Sequence, residues 1–159
     1  MAYVGATVSR SRAARCIYID AAIVFWALLR KRIMRIVLAD DHPKWLEMMV
    51  SLVELEFDVV ATAVDGTSAL QVISHHKPDV AVLDLEMPGL SGIEVTRQVM
   101  SNGHKPGVVI CSAHITQEIV GAAREAGALG YVFKHNCARD LLPAIEAAGN
   151  GRPSFPPGL

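Results

Sequence analysis

The chain has 159 residues, 52% of them hydrophobic and 19% charged, which allows one domain with a sizeable core and excludes wholesale disorder. Its net charge of −1 is unevenly placed: residues 1–35 carry seven bases against one acid, Asp20, and the remainder eight bases against fifteen acids. An acidic body argues against direct nucleic-acid binding and is compatible with cation binding.

The first stretch, "CIYIDAAIVFWALLRKR" (16–32), is mostly apolar but interrupted by Asp20, and falls short of the roughly twenty residues a membrane span needs. Basic residues ahead of it give a faint likeness to a signal sequence, yet no small-residue cleavage site follows. Residues 1–33 are therefore read as an N-terminal extension that the domain does not need, since a start at Met34 leads straight into a strand. A packed accessory helix and an interfacial membrane anchor are the alternatives.

From Met34 onward, short apolar runs alternate five times with segments of helical period. The expected strands are "RIVLAD" (35–40), "FDVVATA" (57–63), "DVAVLD" (79–84), "GVVICSA" (107–113) and "LGYVFK" (129–134). They are rich in Val, Ile and Leu without strict alternation, as parallel strands covered on both faces should be. Between them, Leu46, Met49, Val50 and Val53 make a helical stripe, as do Ile115, Ile119, Ala122 and Ala126, and Leu141, Ile145 and Ala148. Pro43 suits a first helical turn, Ser91 with Glu94 forms a capping box, and Gly127 and Gly149 stand where helices should stop. Cys16, Cys111 and Cys137 have neither paired nor CxxC spacing, which fits a reduced cytoplasmic protein better than a disulfide scaffold. The tail "GNGRPSFPPGL" reads as a frayed terminus or a piece of linker. The expected organisation is an extension at 1–33, a (βα)5 domain at 34–150 with one parallel sheet, and a C-terminal tail at 151–159.

Polar residues recur at the strand ends: Asp40 and Asp41, Asp84, Ser112 and Lys134. In an open parallel sheet these ends share one edge, where functional groups collect. If the strand order is 2-1-3-4-5, three carboxylates converge, and a divalent cation resolves their repulsion. Oxygen ligands without a His or Cys cluster point to Mg²⁺. Lys134 then offers a point charge and Ser112 a hydroxyl to a phosphoryl group, and Asp84 can act as nucleophile toward phosphorus. Singly, each residue has a plainer use: Asp40 and Asp41 as helix caps, Asp84 opening the Pro88-Gly89 turn, Ser112 as a loop hydroxyl, Lys134 as a surface charge. Four strand ends of one sheet are hard to explain that way.

"VLADDHP", "PDVAVLDLEMPGLSGIEV", "VVICSAH" and "GALGYVFKHN" strongly resemble the receiver domain of bacterial two-component response regulators, over about residues 34 to 150. The "DDHP" opening and the "GYVFK" ending look most like the LuxR/NarL-type group. The resemblance implies a flavodoxin-like (CheY-like), doubly wound α/β fold of order 2-1-3-4-5. It implies Asp84 as phosphoacceptor, Asp41 as direct Mg²⁺ ligand, Asp40 as a neighbour acting mostly through water, and Glu86 as donor of a backbone carbonyl. Lys134 matches the lysine that contacts the phosphoryl group, Ser112 the switch hydroxyl, and Tyr131 the aromatic that turns inward with it. Departures are Ser rather than Thr at 112 and His135 where many receivers have Pro, and Glu86 and His114 stand where phosphoryl lifetime is tuned.

The implied partners are a sensor histidine kinase or phosphotransfer protein and a downstream protein target, with a homodimer allowed and with no nucleic acid or membrane expected for this chain. A helix-turn-helix would normally begin near Leu159, so output goes through protein contacts or the sequence is a fragment. Two other readings are a constitutive interaction module and a Mg²⁺-dependent phosphohydrolase. The second needs a D-x-D pattern that Asp84-Leu85-Glu86 only loosely imitates.

Overall fold

The computed structural model describes residues 33–159, so the readings made for residues 1–32, including the apolar stretch and Cys16, lie outside the described residues. Among the described residues five strands and five helices alternate: β1 (Arg35–Ala39), α1 (Pro43–Val53), β2 (Asp58–Ala63), α2 (Gly66–His76), β3 (Val80–Asp84), α3 (Gly92–Ser101), β4 (Gly107–Ser112), α4 (Gln117–Ala126), β5 (Gly130–Phe133) and α5 (Cys137–Gly149). A single 3-10 turn, Lys134–Asn136, links β5 to α5. The sheet is parallel throughout with order β2-β1-β3-β4-β5. This is the flavodoxin-like α/β arrangement expected from the sequence.

Alternate residues of each strand feed opposite faces. Ile36, Leu38, Val80, Val82 and Val109 pack with Leu46, Met49 and Val53 of α1 and Leu141 and Ile145 of α5. On the other face Val37, Ala81, Leu83, Val108 and Ile110 meet Ile73 of α2, Val95 and Val99 of α3, and Val120 and Ala123 of α4. Burial on both faces explains why the strands read as unbroken apolar runs. Each fully buried Val, Leu or Ile contributes about 1.5–3 kcal/mol relative to exposure. Among the described residues no helix is long and apolar enough to cross a membrane.

Local signals explain the helix ends. Pro43 opens α1, and Ser91 and Glu94 complete the capping box of α3 in both directions. Gly127 closes α4 in the left-handed conformation, at φ 101°. Gly149 is the last helical residue of α5, as expected of a helix stop, and it also meets a demand for space, because a Cβ would meet Met34 Sδ. The stripe expected for α4 is shifted as well. Val120, Ala123 and Ala126 are its buried residues, whereas Ile115 precedes the helix and Ile119 is only half-buried.

The C-terminal segment runs beside β5. Ser154 N–H donates to Leu129 O at 2.7 Å, and Tyr131 N–H donates to Ser154 O at 3.0 Å. Cys111 on β4 and Cys137 at the start of α5 are buried neighbours in one core cluster, both as free thiols. The hydrogen bond with Cys137, together with burial, pushes the Cys111 thiol far up, which suits an inert core residue.

Candidate functional site

The sheet's carboxyl edge gathers the polar residues. Asp84 ends β3 and Ser112 ends β4, while Asp40 directly follows β1 and Lys134 directly follows β5. Because β3 lies between β1 and β4, these ends meet. Gly92 opens α3 directly against the Asp84 carbonyl, where any Cβ would collide with that oxygen.

Lys134 links the acids. Its ammonium lies 2.6 Å from Asp40 Oδ2 and 3.1 Å from Asp84 Oδ1, with its side chain 13% exposed and both carboxylates almost wholly buried. A surface lysine would not be held this way. Burial works against its charge, but the hydrogen bond to Asp40 and the charges of Asp84 and Asp40 outweigh it and leave its pKa raised. The Trp45 ring of α1 stands 5.3 Å from the same ammonium, within cation–π reach. The sequence signal for Trp45 is weak, an aromatic two residues after Pro43 on the turn that follows the acidic pair.

Asp84 shows the opposite balance. Burial pushes its carboxyl up to about 6, with the charge of Lys134 opposing and that of Asp40 adding. Asp40 accepts from His42 N–H at 2.9 Å, and Asp41 Oδ1 lies 2.8 Å from His42 Nδ1. Neither acid caps α1, whose N-cap is His42 without a side-chain bond. Donor atoms of Asp40, Asp41 and His42 fall within 4.8 Å of one another, a grouping able to hold a metal ion.

Beyond the acids lies a hydrogen-bonded relay. Ser112 is buried and its Oγ accepts from His114 N–H at 3.0 Å. The Tyr131 hydroxyl donates to His114 O at 2.5 Å, its ring buried against the core. Burial raises the Tyr131 pKa, with a hydrogen bond to Ser112 opposing. Glu86 is exposed, with Oε2 3.8 Å from His114 Nε2. His135, exposed, stacks on Phe133. The structure therefore brings Asp40, Asp84 and Lys134 into direct contact, sets Asp41 beside Asp40, and joins Ser112 to Tyr131 through His114. A buried ionisable carboxylate beside an ammonium, on a sheet edge that also carries a hydroxyl, is a chemistry for accepting an electrophilic group such as phosphoryl.

Comparison with known proteins places the chain in a family. The family model described as response regulator receiver domain matches residues 36–146. The chain belongs to the response regulator receiver domain family. The NarL regulator of Mycobacterium tuberculosis is 37% identical over 127 residues, covering 79% of this chain and 59% of that protein. LiaR of Bacillus subtilis is 32% identical over 123 residues, covering 76% and 58%. Among solved structures, a LuxR-family two-component response regulator from Aurantimonas superposes with a TM-score of 0.75 at 37% identity, covering 79% of this chain and 91% of that one. This receiver domain is thus of the LuxR/NarL type, and it is a signalling domain of two-component systems. Membership favours neither the constitutive module nor the phosphohydrolase. The chain spans 59% of the length of NarL and 58% of that of LiaR.

Proposed function

We propose that Asp84 is the phosphoacceptor of this receiver domain, taking a phosphoryl group from a sensor histidine kinase or a phosphotransfer protein. The observation that carries the reading is the Lys134 bridge between Asp40 and Asp84 at the carboxyl edge of the sheet. One Asp84 oxygen attacks phosphorus; a P–O bond forms as the P–N bond of the donor's phosphohistidine breaks, and the freed imidazole keeps the electron pair. With its carboxyl pushed up to about 6, Asp84 is ionised at neutral pH yet more basic than an ordinary carboxylate, which suits a nucleophile. Lys134 holds Oδ1, leaving the second oxygen to attack, and its ammonium offsets charge developing on the phosphoryl oxygens.

Asp40, Asp41, Asp84 and the Glu86 backbone carbonyl would hold Mg²⁺, a hard cation to which the clustered carboxylates of Asp40 and Asp41 are suited. When bound, the ion supplies neutralisation of the carboxylates and of the phosphoryl oxygens. Ser112 donates to the phosphoryl group, and the inward ring of Tyr131 goes with that state. The surface around α4 and β5 then changes for a downstream protein target or a second copy of the chain. The domain catalyses only its own phosphorylation and dephosphorylation. It works in the cytoplasm, in keeping with the free thiols of Cys111 and Cys137. The site lies within residues 34–150, with 1–33 an extension that the function does not require.

Acetyl phosphate with Mg²⁺ tests the proposal. Intact mass spectrometry should show one added phosphoryl group on the unaltered protein and none on Asp84→Asn. Equal labelling of both would refute the assignment.

A further inference from the structure

β5 is an edge strand, and an unpaired edge offers a row of free backbone donors and acceptors. In this chain the edge is covered by the chain itself. Ser154 forms a parallel bridge with Gly130, donates its N–H to Leu129 O at 2.7 Å and accepts from Tyr131 N–H at 3.0 Å. Arg152 N–H donates to Ala147 O at 2.8 Å, tying the start of the segment to α5. The Arg124 guanidinium of α4 lies over the Phe155 ring, 4.5 Å from its centroid, and its Nη2 donates to Leu159 O at 3.1 Å. Phe155 and Leu159 pack on the same core cluster as Tyr131. A groove of ≈ 310 Å³ remains between segment, strand and α5, lined by Tyr131, Phe133, Arg139, Phe155 and Pro156.

Tyr131 therefore has two attachments of different kinds. Its hydroxyl is held by His114 O, on the loop whose His114 N–H is bound by Ser112. Its amide is held by Ser154. Side chain and main chain of one residue connect the acidic edge to the C-terminal segment.

We infer that residues 152–159 form a strap whose docking on β5 and α4 is coupled to occupancy of the Asp84 site through Ser112, His114 and Tyr131. This rests on the reading of Asp84 as phosphoacceptor with Ser112 and Tyr131 as its switch. The strap packs on Tyr131 with its ring buried, and that reading assigns the buried ring to the phosphorylated form. Phosphorylation therefore tightens the strap. A ring turned outward disturbs the core cluster against which Phe155 and Leu159 pack, and loosens the strap. Because coupling between two equilibria is reciprocal, a weakened strap also weakens occupancy of the site.

Hydrogen exchange read by mass spectrometry on the full chain tests this, with Mg²⁺ and beryllofluoride as a reversible analogue of the aspartyl phosphate. The expected result is several-fold slower exchange in the peptide containing Ser154 once the analogue binds. Phe155→Ala, which leaves the acidic edge untouched, should exchange faster there. Its affinity for beryllofluoride should fall, by at most the factor by which the analogue protects the segment in the unaltered protein. Unchanged exchange on binding, or undiminished affinity in Phe155→Ala, overturns the strap while Asp84 stands as phosphoacceptor. No binding by the unaltered protein, with no phosphoryl gain from acetyl phosphate, overturns the phosphoacceptor reading and the strap with it.

Discussion

At Asp84, the proposed nucleophile, two demands oppose each other: a nucleophile should be ionised, and a carboxylate this deeply buried resists ionisation. An unfolded aspartate titrates near 3.8, whereas burial foremost pushes Asp84 up to about 6 in the fold. The folded state thus holds this proton more tightly, and the stability it brings is complete below 3.8 and lost as pH rises through 6. The metal-free protein should lose on the order of 2–3 kcal/mol across that window on account of Asp84. Urea denaturation of the unaltered protein and of Asp84→Asn would show this, the variant being the more stable at pH 8 and the two converging near pH 4. Mg²⁺, by favouring the ionised carboxylate, should flatten the slope in the unaltered protein and leave Asp84→Asn unmoved. Lys134 has the complementary role. Lys134→Met leaves Asp40 and Asp84 buried without their ammonium, so at pH 8 it should destabilise by about 3 kcal/mol, as removal of one partner of a buried pair does. The deficit should shrink as pH falls through 6, where Asp84 takes up its proton; a deficit independent of pH would mean that Lys134 acts by packing alone.

Among the elements, two helical glycines separate packing demand from helix propensity. Gly92 begins α3 against the Asp84 carbonyl, so Gly92→Ala should destabilise and displace the end of β3. Gly121 lies within α4 with nothing near the position of a Cβ, so Gly121→Ala should stabilise by about 0.5–1 kcal/mol. Thermal unfolding of the pair would report opposite signs. The strands were legible in the sequence because a parallel strand buried on both faces needs apolar residues without interruption, as "VAVLD" and "GVVICS" show. The start of α3 was legible because Ser91 makes its cap, whereas the side-chain caps Asp65 of α2 and Thr116 of α4 were not read from the sequence. The α4 stripe was misplaced by one residue because Ile115 and Ile119, though apolar, flank the buried line instead of forming it. Pairing of Ser154 with β5 left no trace in composition, since it is made by main-chain groups that any residue but proline can supply. The Cys111–Cys137 neighbourhood was equally hidden, being made where α5 packs on β4.

For the whole molecule, strand order decides function. With β3 between β1 and β4 and every strand running the same way, groups far apart in sequence, Asp40, Asp84 and Lys134, arrive at one edge, and the strand-end pattern was enough to expect it. What the pattern could not supply is Trp45 over the ammonium and the relay from Ser112 through His114 to Tyr131, both of which depend on side-chain placement. The acidic body outside residues 1–35 agrees with a site that gathers cations. The most direct measurement is borohydride reduction after incubation with acetyl phosphate and Mg²⁺, followed by peptide mapping. An acyl phosphate on Asp84 is converted to homoserine at that position alone, which is the result expected here. Homoserine at another aspartate, or none anywhere while the protein carries a phosphoryl group, would contradict the account.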